Sequence, residues 1–470
     1  MNKLYITAII LVLFFAGCKQ TDINPQNKKA KYVFFFIGDG MGLAHVNLTE
    51  AYLSSLDSVI GIQKLTMSEF PVFGMATTFA ENRYITGSAA AGTALATGFK
   101  TSIGTIGLKS NHTDTIFSIA YYAKQNGMKV GILSSVGINH ATPAAFYAHQ
   151  SKRNQYYEIA LQLAKSNFDV FAGGGFIDPK GKNDSLPTAY KITENKGYKI
   201  AKSTEDFNNL NSDDSKVMLV SPVLLSEAEL PYYIDQPDDF YTLADYTKKS
   251  IELLDNKNGF FMMVEGGKID WAAHANDGAT VVQEVIDFDN AVKVAYDFYL
   301  LHPDETLIVV TADHETGGLA VGWDGMHYES NFAILKDQKY SLGVISDSIN
   351  YFLNSHKNIT FDNVLSFGEK YLSMGSLTNK ETNQLLSAYN EFLETEVEED
   401  FLYENINILA YTWIEIFNQR AGIGWTSHSH TGLPVPVRAI GAGSELFDGY
   451  YDNTDIPKKI AEAIGIKMIQ

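Results

Sequence analysis

The sequence predicts an α/β fold: an open, mostly parallel sheet with helices on both faces, carrying a large cap-type insertion. Strand-like and helix-like segments alternate along most of the chain, the order that builds a parallel sheet through crossover helices. The strand-like segments are apolar at nearly every position rather than at every second one, as strands covered on both faces must be. Acidic and imidazole residues recur directly after those strands, at the edge where open α/β sheets bind ligands.

The elements follow in order. Lys31-Tyr32-Val33-Phe34-Phe35-Phe36-Ile37, closed by Gly38, is the first predicted strand. Ile116, Ile119, Ala120 and Ala123 share a helical face, and Gly127 suits a helix stop. Residues 129–134 form the next strand and 157–166 a helix; 169–172 is a strand ending in Gly173-Gly174-Gly175. Residues 259–264 and 306–311 are strands separated by a helix over 281–300, and 435–440 is a last core strand. From about Asp324 to Arg420 the chain turns polar and irregular, with an acidic helix candidate over 380–400. Its run from Glu394 to Asp400 reads as a solvated face. The resulting division is a core over 30–323, an insertion or cap over 324–420, and completion of the core over 421–470.

With 470 residues, 45% apolar and 19% charged, the chain is long enough for a large core plus an insertion. A net charge of −19 argues against a nucleic-acid partner, yet permits an anionic substrate if metal ions invert the local field. Lys3, the apolar run Tyr5 to Phe15, and Phe15-Ala16-Gly17-Cys18 form a leader over 1–18, too short for a comfortable membrane span. Its end resembles a bacterial lipobox, in which a lipid on Cys18 anchors the exported protein to the cell envelope; an ordinary cleaved leader with an incidental cysteine is the alternative. Residues 19–29 read as a polar tether. Cys18 is the only cysteine, so the body offers His and carboxylate, not thiolate, to metals.

Ser88 stands among small residues at a predicted helix start, Thr86-Gly87-Ser88-Ala89-Ala90-Ala91-Gly92-Thr93-Ala94. Read alone, it could serve as a helix cap. As a nucleophile it needs activation, and no Gly-x-Ser-x-Gly elbow surrounds it, which leaves a metal ion. Asp39, Glu265 and the pair Asp313-His314 follow three predicted strands. Singly, each Asp could be a helix cap; together they would repel one another unless cations sit there. Asp270 and His274, four apart, share a helix face: either a surface pair or two ligands suited to zinc. Asp313 and His314 can converge on one ion only where the strand turns into a loop.

In combination these motifs resemble the alkaline phosphatases. Gly38-Asp39-Gly40-Met41-Gly42 is similar to the family's first metal motif, which implies that Asp39 bridges a zinc and a magnesium. The Ser88 segment resembles the phosphorylated-serine motif. His140-Ala141-Thr142-Pro143-Ala144 implies Thr142 on magnesium, with Glu265 from Glu265-Gly266-Gly267-Lys268-Ile269-Asp270. Arg153 aligns with the arginine that clamps phosphate. Asp270, His274 and His430 (in Ser429-His430-Thr431-Gly432) would hold one zinc; Asp39, Asp313 and His314 would hold the other, beside Ser88. The resemblance thus implies two zinc ions, one magnesium, phosphate monoester substrates and a covalent phosphoserine. It also raises the expectation of a homodimer, although a large insertion could block that interface.

Three positions depart from the family pattern or vary within it. Gly87 replaces the usual aspartate before the serine, which implies a less tightly held Arg153. His140 stands where some members carry Asp, and Trp271 follows Asp270, a combination similar to members that hold magnesium loosely and release product quickly. The neighbouring His428 is an alternative to His430, but the His-Thr-Gly match favours His430. Competing readings are a phosphodiesterase or sulfatase on the same scaffold and a non-catalytic metal-dependent binding protein. No formylglycine-type sequence is present. Thr142 and Glu265 favour a monoesterase, and Ser88 with Arg153 favours turnover.

Overall fold

Ten strands form one sheet in the computed structural model, and a single strand runs against the rest. The structure describes residues 29–469 apart from 238, 357–358, 395–397 and 402–403; the leader, Cys18 and most of the tether lie outside them. The strands are β1 (Tyr32–Gly38), β2 (Val72–Thr77), β3 (Lys129–Ser134), β4 (Val170–Gly173), β5 (Lys199–Ala201), β6 (Val217–Val220), β7 (Phe260–Gly266), β8 (Thr306–Thr311), β9 (Val435–Gly441) and β10 (Gly449–Asp452). Their spatial order is β10-β2-β9-β8-β1-β7-β3-β4-β6-β5. Every pairing is parallel except those of β9 with β8 and β2.

The sheet's centre explains its sequence. All seven residues of β1 are buried, as are all seven of β7 and all six of β8. Phe34 and Phe36 point to one face, against Phe298 and Phe288 of helix Gly278–Leu301, and Phe35 points to the other, against Phe146, so each phenyl ring is covered on its own side. Burying one such side chain contributes about 2–3 kcal/mol. Helix Gly278–Leu301 covers one face, and its first half is buried almost all round.

The segment over 324–420 is more regular than its composition predicts. It holds helices Leu342–Ser355, Phe361–Leu372, Asn379–Glu394 and Ile408–Ala421. They enclose a second apolar cluster built around Leu342, Ile345, Phe367, Leu385, Trp413 and Phe417. The first three helices each bury one stripe and leave a polar face outside, so the stretch reads as polar overall, while Ile408–Ala421 is buried along most of its surface. The acidic helix is shorter than predicted. It ends at Glu394, and Glu398–Phe401 pairs with Glu404–Asn407 as a hairpin. Among the described residues no helix is long and apolar enough to cross a membrane.

Candidate active site

Register carries the acidic residues to one edge. Ile37 of β1 lies opposite Thr311 of β8 and Glu265 of β7, and Ser134 of β3 lies opposite Glu265. With neighbouring strands about 4.8 Å apart, Asp39, Glu265 and Asp313 leave the sheet side by side. The turn after β1 is held by the Gly40 amide, which donates to Asp313 Oδ1 at 3.2 Å. Gly40 has φ +70°, and a Cβ there would lie 2.7 Å from Thr316 Oγ1 and 2.9 Å from Asp270 Oδ1. Only glycine fits. Gly40→Ala is expected to lower kcat/KM at least tenfold, at a backbone cost of roughly 1–3 kcal/mol. Steady-state kinetics and a melting curve check both.

Two further segments close over this edge. Helix Lys268–His274 brings Asp270 and His274 onto one face, with Asp270 Oδ1 3.4 Å from His274 Nε2. Both are buried, so the surface-pair reading does not hold. His430–Thr431 pairs antiparallel with Glu315–Thr316, just beyond Asp313-His314, and sets His430 Nε2 3.1 Å from His274 Nε2 and 3.6 Å from Asp270 Oδ1. His314 Nε2 sits 3.3 Å from both Asp39 Oδ1 and Asp313 Oδ2.

Ser88 is the first residue of helix Ser88–Thr97, and Gly87 is its N-cap. The serine is therefore not the cap; its Oγ lies 3.4 Å from His314 Nε2. The amides of that first turn have no acceptor within the helix, and a helix N-terminus favours an anion. Thr142 Oγ1 lies 3.4 Å from Asp39 Oδ2. The Arg153 guanidinium Nη2 lies 2.8 Å from His140 Nε2, and its charge acts on His140, His274, His314 and His430.

The electrostatics call for cations. Asp39, Glu265, Asp270 and Asp313 are fully buried. Each keeps one oxygen without a hydrogen-bond partner: Asp39 Oδ1, Glu265 Oε1, Asp270 Oδ2 and Asp313 Oδ2. Burial, then repulsion from Asp313 and Asp270, pushes Asp39 well above the usual carboxylate range. Burial likewise raises Glu265 to about 8 and Asp313 to about 7. Burial also acts to raise Asp270, but His274, His430 and His314 outweigh it and hold that carboxyl low. Four orphaned carboxylate oxygens in one pocket fit metal ions, because a cation satisfies them where no donor does.

Among the described residues three sets of side chains bring ligand atoms close enough to share an ion: Asp39, Asp313 and His314; Asp270, His314 and His430; and Asp39, Glu265 and His140. The first brings together the residues that the resemblance implies for one zinc. The second contains His314 where the resemblance implies His274, which nevertheless touches both Asp270 and His430. The third contains His140 beside the expected Asp39 and Glu265, with Thr142 adjoining.

Several supporting groups were not foreseen. His274 Nδ1 donates to the His428 carbonyl at 2.5 Å and His430 Nδ1 to the Thr86 carbonyl at 2.9 Å. Each bond places the ring proton on Nδ1 and leaves the Nε2 lone pair facing inward, as metal-binding histidines require. Ser134 donates to Glu265, and Thr316 donates to Asp270. Ser134 carried a signal, as the last residue of a predicted strand. The two backbone carbonyls carried none.

The family model for alkaline phosphatase matches residues 30–466. The chain belongs to the alkaline phosphatase family. Alkaline phosphatase 3 of Bacillus subtilis (strain 168) is 32% identical across 98% of this chain and 97% of its own length. Alkaline phosphatase 4 of the same strain is 33% identical across 97% and 95%. Among solved structures, a cold-active alkaline phosphatase from a psychrophilic Shewanella species is 32% identical. It superposes with a TM-score of 0.77, covering 92% of this chain and 99% of that one. Alkaline phosphatases are phosphoric monoester hydrolases, and this chain is an enzyme of that class.

Proposed function

We propose that the chain hydrolyses phosphate monoesters through a covalent phosphoserine at Ser88, with two zinc ions and one magnesium. The observation that carries this reading is the placement of Ser88 Oγ 3.4 Å from His314 Nε2, among buried carboxylates whose oxygens lack donors. Asp39, Asp313 and His314 would hold the zinc beside Ser88; Asp270, His274 and His430 would hold the other. Asp39, Thr142 and Glu265 would hold magnesium. When bound, the ions would supply positive charge to the attacking and leaving oxygens.

The chain's own residues do the rest. Ser88 Oγ forms a bond to phosphorus while the bond from phosphorus to the alcohol oxygen breaks, and the alcohol leaves. Water then attacks the phosphoserine, the Ser88 Oγ–phosphorus bond breaks, and inorganic phosphate is released. The first turn of helix Ser88–Thr97 faces the phosphoryl group with its positive end. Arg153 grips two non-bridging oxygens through its planar fork. Both attacking oxygens must lose a proton, so the rate rises toward alkaline pH; a flat or falling profile would count against the mechanism.

A generic aryl phosphate, offered with and without chelator, tests the activity; hydrolysis that survives full metal removal would end the proposal. Arg153→Ala is expected to weaken inhibition by inorganic phosphate and raise KM by roughly ten- to a hundredfold, the scale of a lost bidentate charged contact. We further propose export and a lipid anchor on Cys18, which mass spectrometry of the mature N-terminus would test.

A further inference from the structure

We infer that His140 is a positioning residue for Arg153, and that holding the arginine excludes it from the set of metal ligands. The inference rests on Arg153 being the phosphate clamp. It starts from a conflict in the geometry: the His140 ring is close enough to Asp39 and Glu265 to share a cation with them, yet its Nε2 lies 2.8 Å from Arg153 Nη2.

One ring cannot serve both. A guanidinium has donors only, so Nε2 must be the acceptor, and a neutral imidazole that accepts at Nε2 carries its proton on Nδ1. Neither nitrogen then has a lone pair for a metal ion. Turning the proton to Nε2 would free Nδ1 but set two N–H groups against each other at 2.8 Å. Arginine contact and metal ligation are therefore alternatives, and the structure shows the first.

The surroundings favour that choice. His140 is buried, as the N-cap of the short helix Ala141–Ala144. Trp271 packs edge-on against its ring, with centroids 5.9 Å apart and planes at 74°. Lys268 Nζ lies 4.7 Å from the centre of the Trp271 ring and 3.6 Å from that of Tyr232. Trp271 thus bounds the imidazole on one side, and Nε2 faces the guanidinium. Gly87, directly before the nucleophile, contributes no side chain to Arg153.

The test uses the full metal-loaded enzyme and compares His140→Ala, His140→Asn and His140→Gln. A glutamine amide oxygen reaches the Nε2 position; an asparagine oxygen reaches only the Nδ1 position. Inhibition by inorganic phosphate is expected to weaken about tenfold in the Ala and Asn variants, with KM rising more than kcat falls, and to stay within about threefold of wild type in the Gln variant. Magnesium titrated calorimetrically into zinc-loaded enzyme depleted of magnesium alone is expected to bind the Ala variant as it binds wild type. Asn matching wild type, Gln as weak as Ala, or magnesium binding lost in the Ala variant would each overturn the inference. So would a full further loss on adding His140→Ala to Arg153→Ala. If Arg153→Ala alone left phosphate inhibition unchanged, the clamp reading itself would fall, and this inference with it.

Discussion

Ser88→Ala is expected to lower kcat/KM for an aryl phosphate by at least about a thousandfold while leaving the metal content of the purified protein near that of wild type. The size follows from removing the atom that forms the covalent bond, since loss of a nucleophile typically costs several powers of ten. Retention of metal follows from the geometry. The ligand atoms come from the turn after β1, β7, the loop after β8, helices Ala141–Ala144 and Lys268–His274 and the His430 bridge, all elements other than the serine's helix. Ser88 is fully buried at the start of its helix, and alanine at the first helical position is well tolerated. Folding should therefore be intact, which a melting curve confirms independently. Metal analysis beside the kinetics separates the two ways of losing activity. A variant with normal metal and normal turnover would remove Ser88 from the mechanism. A variant that loses metal would instead make the hydroxyl a structural ligand.

The fold was legible where one physical rule governs. Strands β1, β3, β7 and β8 are apolar at most positions because both faces are covered, and their predicted bounds agree with the structure to within two residues. Short or peripheral strands were missed. β2 and β10 lie at one end of the sheet and β5 at the other; their partly exposed residues lack a continuous apolar run. The cap was misread because the apolar residues of three of its helices are spread over amphipathic faces. In the site, side chains at strand ends could be placed from sequence, because register alone brings Asp39, Glu265 and Asp313 together. What could not be read is the support. The His428 and Thr86 carbonyls that orient two imidazoles are backbone atoms, and any residue could supply them. The His140–Arg153 contact depends on the orientation of a ring bounded by Trp271, which no spacing records.

Stripping the metals is expected to abolish turnover, to below about 1% of the loaded rate, and to destabilise the fold more at pH 9 than at pH 7. The first effect follows from taking the charge from both reacting oxygens. An ion present at a thousand times its dissociation constant contributes about 4 kcal/mol to the folded state, so stripping should also lower the melting temperature by several degrees. The pH dependence comes from the carboxyls. Between about pH 7 and 9 an unfolded chain has ionised carboxylates and neutral histidines. The folded, metal-free pocket still holds protons in that window, because burial raises Asp39 well above its ordinary range, Glu265 to about 8 and Asp313 to about 7. A group raised in the folded state stabilises the fold fully only below its unfolded pKa, and that contribution is gone once pH passes the folded value. His274 acts in the same direction: Asp270 outweighs the opposing effect of burial and raises it. Asp270 itself is held low and stays ionised in both states across the window. Glu284 and Asp287, raised by burial to about 8 and about 7 outside the site, add an equal slope to loaded and stripped protein. The informative quantity is thus the difference in melting temperature between the two forms, which should widen from pH 7 to 9. Cations in place of protons would remove the pocket's own slope from the loaded form. A difference that is constant or narrows with pH would mean that the orphaned carboxylates are not what the metals neutralise.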